Sequence, residues 1–327
     1  MKKAVCGAII FAMIILTFVI NTSISFAAAF SVGDTVIVNG RPSTTATGGT
    51  YGTQLTNYVG QVTKIATSGT RIYHIDSKGW FSESELRKYA SGTDLPADYS
   101  KYDNKTIGWW NVESNLSYAK ARLDLIGKYG GIGIDLNEPS KVIYLTFDEG
   151  YENGYTSKIL DVLKANNVHA TFFITGSYLD QDGALVKRMI DEGHTVGNHT
   201  VNHPSLPSVS KEQFIKEIKD VENDFKSKFG ITMKYLRPPY GEYSERTMAM
   251  TNDLGYKTVF WTFTYLDYDV NDQKGTDYAY NKVMSSLRNG SILLLHAVSK
   301  DNANALDKIL KDAKAMGYRF ANLDDIK

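Results

Sequence analysis

Two histidines stand four residues apart in the chain, His199 and His203, and an acidic pair, Asp148 and Glu149, precedes them by about fifty residues. Two imidazoles and a carboxylate are ligands that hold a catalytic divalent metal while leaving coordination positions open. Pro204 directly follows His203, and a residue before proline avoids helical backbone. We therefore expect the histidines on a loop. The pair alone also fits ordinary hydrogen-bonded loop histidines, so its interpretation depends on other segments.

Further ionisable residues follow predicted strands. Apolar runs alternate with helical patterns, which is typical of an α/β fold with a parallel sheet, open or closed to a barrel. The runs are 142–147, 170–174, 195–196, 233–236, 258–261 and 291–295. The residues at or just after their carboxyl ends are Asp148, His199, His203, Arg237, Asp267 and His296. Since loops at these ends build the active sites of α/β folds, we expect the six side chains at one rim.

The first 29 residues have the composition of an export signal. Lys2 and Lys3 precede an apolar stretch at 4–20, and small residues follow up to position 29. An uncleaved membrane anchor is the alternative. The only cysteine, Cys6, lies in this segment, so a cleaved chain would have neither disulfide nor thiolate metal site. This fits a bacterial envelope or cell-wall location.

The charge balance argues against a nucleic-acid partner. The 327 residues contain 36 Lys and Arg and 36 Asp and Glu, so the chain has no basic excess to attract a polyanion. The sequence also points to no obligate protein partner.

The segment 30–89 differs from the remainder in having short β-prone runs between Gly, Ser and Thr clusters, which predicts a small β-barrel. Its stretches 33–36 and 79–86 resemble SH3-like modules of bacterial wall-associated proteins. A peptidoglycan-targeting module and a plain spacer both fit. Residues 90–139 are interpreted as a linker and an N-terminal extension. Within them Trp109 and Trp110 either pack the extension onto the main domain or form a platform for sugar stacking.

Four short motifs carry a family resemblance. They are Thr-Phe-Asp-Glu-Gly at 146–150, His-Thr-Val-Asn-His at 199–203, Arg-Pro-Pro-Tyr-Gly at 237–241 and Leu-Leu-His at 294–296. In this order they resemble the motifs of the polysaccharide deacetylases, the NodB-homology family or carbohydrate esterase family 4. The stretches 150–156, 236–239 and 296–303 are similar to the δ-lactam-biosynthetic de-N-acetylases, which act on N-acetylmuramic acid of spore cortex peptidoglycan. The resemblance implies that residues 140–327 form a distorted (β/α) barrel with fewer than eight strands, preceded here by the SH3-like module.

The resemblance also implies roles for the site residues. Asp148 would be the general base, His296 the general acid, and His199 and His203 the ligands of a divalent metal such as zinc, cobalt or manganese. Arg237 would keep Asp148 ionised, and Asp267 would support Arg237 or keep His296 protonated. The backbone N–H that follows Pro239, which belongs to Tyr240, would donate to the oxyanion. The third ligand of the family is usually an Asp directly after the base. Here Glu149 stands in that place, and whether it binds the metal stays open.

The expected activity is metal-dependent hydrolysis of the N-acetyl group of N-acetylmuramic acid in peptidoglycan, for muramic δ-lactam formation in spore cortex. The substrate partner would be the peptidoglycan glycan strand. One alternative is deacetylation of N-acetylglucosamine in peptidoglycan or chitin-like glycans. Another is a catalytically weak protein that binds the cell wall.

Overall fold

The computed structural model describes residues 29–88, 98–110, 116–134 and 140–326. The predicted export signal, except for its last residue, and the first part of the predicted linker lie outside these ranges. None of the helices within the described ranges combines the length and apolar character that a membrane span requires.

The N-terminal part is a small antiparallel β unit with its own apolar core. Its strands are β1 (Thr35–Gly40), β2 (Ser43–Thr45), β3 (Gly48–Tyr51), β4 (Leu55–Ile65), β5 (Tyr73–Ile75), β6 (Gly79–Phe81) and β7 (Leu86–Lys88). They pair in the order β3-β2-β6-β5-β4-β1-β7. Val36, Val62, Tyr73 and Phe81 are fully buried between them. The predicted β unit is thus present, whereas its likeness to SH3-like modules stays a prediction.

The larger part is an α/β domain built on a parallel sheet, as predicted. Its strands are β9 (Val142–Glu149), β10 (Thr171–Ile174), β11 (Thr195–Asn198), β12 (Tyr235–Leu236), β14 (Lys257–Thr258), β15 (Ser291–His296) and β16 (Arg319–Phe320). The order is β14-β12-β11-β10-β9-β15, with β16 also paired to β9. Its helices are α2 (Thr156–Ala165), α3 (Gly176–Gln181), α4 (Gly183–Asp191), α5 (Lys211–Phe229), α6 (Glu245–Asp253), α7 (Thr276–Ser286) and α8 (Lys300–Ala315).

The segment after β14 bends the sheet towards closure. A regular strand is predicted at 258–261, but the chain changes partners there. The N–H of Val259 donates to Leu236 of β12, and the N–H of Thr262 donates to Ile292 of β15, each at 2.8 Å. A parallel bridge then joins Phe263 to Leu293. The sheet therefore curves round as the predicted distorted barrel requires.

Strand β9 lies between β10 and β15 and is buried at every position. Ile143, Leu145 and Phe147 pack in the core shared with the surrounding helices. Val142 and Tyr144 pack in the second core, inside the curved sheet. Since successive strand residues point to opposite faces, this alternation decides which way each later residue of β9 faces.

Helix α5 is closed at both ends by capping residues. The Ser210 hydroxyl accepts a hydrogen bond from the N–H of Gln213 at 3.2 Å, which caps the first turn. The helix ends at Gly230, whose φ of 71° is the left-handed conformation that glycine adopts without strain.

From residue 98 the N-terminal extension packs onto the α/β domain. The buried Tyr99 donates its hydroxyl proton to Asp253 at 2.8 Å. Strand β8 (Ile107–Gly108) pairs antiparallel with β13 (Glu242–Tyr243). Helix α1 (Leu116–Lys128) follows, which the sequence analysis did not predict. Through β13, the extension thereby contacts the segment that follows the carboxyl end of β12.

Candidate active site

A cavity of about 700 Å³ opens at the carboxyl ends of the parallel strands. Of the predicted site residues, Asp148, His199, His203, Tyr240 and His296 line it. The others, Arg237, Asp267, Glu149 and Pro239, lie behind its wall or face elsewhere. Its volume is in the range of ~300–1,000 Å³ typical of sites for small organic ligands.

Asp148 and Arg237 form a buried ion pair. Arg237 is fully buried and donates from Nη1 to Asp148 Oδ1 at 2.8 Å. Its guanidinium also donates to the carbonyl of Val259 at 3.3 Å and lies over the ring of Phe173, 4.1 Å from the ring centroid. Burial alone would raise the pKa of Asp148, but the charge of Arg237, together with smaller contributions from His199, His296 and the hydrogen bond from Arg237, outweighs it, so the pKa of Asp148 is lowered. The predicted bond between Arg237 and Asp148 is present, and Asp148 is held ionised.

His199 and His203 bring two ring nitrogens together. Their Nε2 atoms are 3.1 Å apart. The Nδ1–H of His199 donates to the backbone carbonyl of Arg237 at 2.8 Å, which leaves the lone pair on Nε2. Burial lowers the pKa of both imidazoles, that of His203 to about 4. Both rings are therefore neutral and able to ligate.

The histidine loop has an unusual backbone that helix α5 supports. Thr200 and His203 have φ values of 69° and 56°, a region that residues other than glycine rarely adopt. Glu217 of α5, almost completely buried, accepts hydrogen bonds from the N–H and the side-chain amide of Asn202 at 2.8 and 2.9 Å. Its backbone carbonyl accepts from Val201 at 3.0 Å. The loop conformation is thus fixed by a helix that follows it in the chain.

His296 is paired with Asp267 on the other side of the cavity. Asp267 accepts from His296 Nδ1 at 2.7 Å and from the backbone N–H of His296 at 2.8 Å. Asn302 of α8 donates to the same carboxylate at 2.5 Å. Burial alone would lower the pKa of His296, but the charge and hydrogen bond of Asp267 outweigh it and raise this pKa. Of the two roles open to Asp267, the structure thus favours support of His296.

Glu149 does not join the histidines. Strand β9 continues through residue 149, two residues beyond its predicted end, so Glu149 points away from Asp148 and towards the helices. Its side chain is fully buried, and neither carboxylate oxygen has a hydrogen-bond partner among the described residues. Burial raises its pKa well above the usual value, and the charges of Glu152, Asp148 and Asp182 add to this effect. The structure thus speaks against Glu149 as a metal ligand.

The Arg-Pro-Pro-Tyr-Gly motif places Tyr240 at the cavity mouth. Tyr240 is 63% exposed, has a φ of 59° and lies edge-on to His203, with ring centroids 4.6 Å apart. Pro238 lines the cavity. Pro239 is buried and does not, so it shapes the turn that presents Tyr240.

The histidine pair fits a divalent metal, although the described residues contain no ready group of three or more His, Cys, Asp or Glu ligands. Two imidazole nitrogens bound to one zinc ion each lie about 2.0–2.1 Å from it. The 3.1 Å between the Nε2 atoms of His199 and His203 matches that arrangement. A ligand histidine usually donates its other ring N–H to a carbonyl or carboxylate, as His199 does to Arg237.

Several cavity residues were not predicted as site residues. Trp261 and Leu294, both almost completely buried, supply an apolar wall. Tyr151 and Tyr268 are half exposed at its rim, as is Trp110, for which a sugar-stacking platform was one of two expectations. Large aromatic residues in loops after strands were the signal that could have identified the rim.

His169 and His194 lie outside the cavity lining. His194 is buried and accepts from the N–H of Ala170 at 3.1 Å, and its ring lies edge-on to those of His169 and Phe172.

Comparison with known proteins identifies the family. A family profile described as polysaccharide deacetylase matches residues 135–259. The peptidoglycan-N-acetylmuramic acid deacetylase PdaA of Bacillus subtilis is 46% identical over 206 residues, which cover 62% of this chain and 77% of that protein. The chain belongs to the polysaccharide deacetylase family. It is a deacetylase, a hydrolase that acts on amide bonds.

Two further similarities accompany this match. A peptidoglycan-N-acetylglucosamine deacetylase of Bacillus cereus is 36% identical to this chain over 187 residues. The aligned residues cover 55% of this chain and 66% of that protein. The solved structure of Bacillus subtilis PdaA, a family 4 carbohydrate esterase, superposes with a TM-score of 0.65 and 42% identity. The superposed residues cover 68% of this chain and 97% of the solved chain. The curved parallel sheet of the deacetylase is therefore the family fold.

Proposed function

We propose that this deacetylase removes the acetyl group from N-acetylmuramic acid in peptidoglycan glycan strands. One observation carries the proposal. A carboxylate kept ionised by Arg237 and an imidazole kept protonated by Asp267 lie at the ends of adjacent strands, where Asp148 and His296 are direct partners in the register. Amide hydrolysis needs such a pair, because one group must take a proton and another must give one at the same pH.

In this reaction Asp148 takes a proton from the attacking water, whose oxygen bonds to the acetyl carbon. His296 gives its proton to the sugar nitrogen as the carbon–nitrogen bond breaks, and acetate and a free amine result. Trp261 and Leu294 form an apolar wall suited to the acetyl methyl group. The backbone N–H of Tyr240 is the proposed donor to the developing oxyanion, a contact typically worth about 3–4 kcal/mol in such sites.

His199 and His203 would hold a divalent metal, zinc, cobalt or manganese. When bound, this metal would supply Lewis-acid polarisation of the acetyl carbonyl and lower the pKa of a water molecule. The hydrogen bond from His199 to the Arg237 carbonyl orients the imidazole for that role.

The choice of muramic acid rests on similarity. PdaA, by its name a muramic acid deacetylase, is 46% identical, compared with 36% for the N-acetylglucosamine deacetylase of Bacillus cereus. The stretches around Asp148 and His296 that resemble de-N-acetylases point the same way. A role in muramic δ-lactam formation of spore cortex is the finer part of this proposal.

The proposed place of action is the cell wall. The predicted export signal would deliver the protein there, and the β unit at 30–89 would bring the catalytic domain to peptidoglycan. Retention of the α/β domain alone on sedimented walls, equal to that of the longer chain, would argue that the β unit is a spacer.

The test is digestion of purified peptidoglycan with wild type and Asp148→Asn, followed by mass spectrometry of the released saccharides. We expect acetate release by wild type alone, with the loss of one acetyl group confined to muramic residues. Loss from glucosamine residues would instead favour the second candidate, an N-acetylglucosamine deacetylase, which the Bacillus cereus relative supports. Binding of both proteins to walls without acetate release would indicate a wall-binding protein.

A further inference from the structure

The neighbouring residues Trp109 and Trp110 have opposite environments. Trp109 is 3% exposed, donates from Nε1 to the carbonyl of Trp261 at 2.8 Å, and packs against Phe260. Its backbone N–H donates to the carbonyl of Gly241 at 2.8 Å. Trp110 is 53% exposed and lines the cavity. Trp109 thus anchors the extension, which confirms the packing interpretation for this residue, and Trp110 is presented at the cavity rim.

The anchoring places Trp110 on a defined side of the cavity. Because Trp109 is bonded to Gly241, the next indole lies by the turn that carries Tyr240, whose ring is in contact with His203. The proton donor His296 and Tyr268, with ring centroids 5.3 Å apart, line the same cavity. Trp110 therefore shares the cavity with Tyr240 and His296 and lies outside the Asp148–Arg237 and His296–Asp267 pairs.

The exposed rings of Trp110 and Tyr240 at the same cavity indicate a binding surface for a ligand. Aromatic side chains contribute large apolar surfaces, and contiguous exposed apolar surface at a cavity mouth usually marks a binding site. Pyranose rings present a face of C–H groups that covers an indole well. The cavity volume of about 700 Å³ also leaves space beyond one acetamido group.

We propose that Trp110 binds the sugar ring next to the one that is deacetylated, and so makes the enzyme prefer glycan chains over single sugars. This inference rests on the proposed function. Trp110 lies before residues 135–259, which match the family profile, so this subsite is supplied by the extension. Trp110 is a specificity-determining residue and takes no part in proton transfer.

The kinetic test compares wild type, Trp110→Ala, Trp110→Phe and a control, Tyr278→Ala. Tyr278 is 41% exposed on α7 and does not line the cavity. Acetate release is measured with a peptidoglycan tetrasaccharide. We expect Trp110→Ala to raise KM by about 5- to 100-fold, the order of magnitude known for a nucleobase stacked on an aromatic side chain. We expect kcat within about twofold of wild type, partial recovery in Trp110→Phe and no change in Tyr278→Ala.

The binding test uses calorimetry in the Asp148→Asn background, with the tetrasaccharide and with N-acetylmuramic acid alone. We expect Trp110→Ala to weaken binding of the tetrasaccharide and to leave that of the monosaccharide unchanged. Equal tetrasaccharide affinity and KM with and without Trp110 would overturn the inference while acetate release still supports the proposed function. If wild type released no acetate from any glycan, the proposed function would fail, and the titrations would still decide whether Trp110 binds sugar.

Discussion

The carboxylate of Asp267 holds His296 at two points, the ring Nδ1 at 2.7 Å and the backbone N–H at 2.8 Å. The two bonds fix the ring orientation and the protonation state together. The imidazole can thus neither rotate away from the cavity nor lose its proton as readily as a free histidine.

Asp267→Asn should therefore shift the pH profile of deacetylation. His296 acts as a proton donor, so activity is present below its pKa and is lost as pH rises through it. The substitution removes the charge that raises this pKa, and the alkaline limb of kcat should move to lower pH. His296→Ala should lower kcat by about 10²–10⁴-fold with metal content unchanged. An unmoved alkaline limb in Asp267→Asn would contradict the assignment of the acid.

Arg237→Gln should move the acid limb of the pH profile of deacetylation. Asp148 must be ionised to accept a proton, so activity is lost as pH falls through its pKa. Without the Arg237 charge, burial dominates and raises the pKa of Asp148, so the acid limb should move to higher pH. Removing one partner of a buried ion pair costs about 3–5 kcal/mol, so thermal unfolding must be followed in parallel. Arg237→Lys keeps the charge and should shift the limb less.

Metal content should depend on the histidines and be independent of Glu149. We expect His199→Ala and His203→Ala to lose bound metal, measured by elemental analysis after equilibration with zinc, together with activity. Glu149→Gln should keep both, because its side chain faces the helices. Prolonged chelation of wild type should abolish acetate release, and added zinc, cobalt or manganese should restore it. Full turnover after chelation would refute metal dependence.

Glu149 should instead affect stability in a pH-dependent way. Its pKa is higher in the folded than in the unfolded chain, so its stabilising contribution is complete below about pH 4, near the unfolded pKa. This contribution is lost as pH rises through the folded pKa. Glu149→Gln does not ionise, so its melting temperature relative to wild type should increase from pH 4.5 to pH 8. A difference that stays constant over this interval would show that Glu149 does not titrate in the fold.

Glu217 should be a positioning residue for the histidine loop. In Glu217→Gln the donors of Asn202 lose part of their acceptor, and the strained backbone at His203 is less well held. We expect metal affinity to fall about 10- to 100-fold, as for other supporting residues of metal sites. Glu222→Gln is the matched control. Glu222 is also buried on α5 but accepts from Tyr256 and Met233, away from the loop. Equal loss of metal affinity in both variants would indicate a general stability effect.

The sequence predicted the parts of the fold that depend on local patterns. Strand β15 follows from an uninterrupted apolar run, and the alternation of such runs with helical patterns indicated the α/β class. The gathering of Asp148, Arg237 and His296 follows from their positions after strands of one parallel sheet. These features follow from local sequence patterns and do not depend on which distant segments come into contact.

Features that depend on distant contacts were not predicted. The direction of Glu149 required knowing that β9 runs two residues further than the apolar run 142–147. The positive φ values of Thr200 and His203 are maintained by Glu217, and no local pattern indicates them. Trp110 becomes a cavity residue only because Trp109 is bonded to Gly241, far along the chain.

Arg237 bonds to Asp148 through its side chain and to His199 through its main-chain carbonyl. Replacing the side chain leaves that carbonyl present, so ordinary mutagenesis at position 237 examines only the link to the base. The link to the imidazole can be weakened by exchanging the carbonyl oxygen of Arg237 for sulfur, which is a poorer hydrogen-bond acceptor and leaves the ring of Pro238 intact. Chemical synthesis of this segment would therefore separate two functions that the genetic code keeps together in one amino acid.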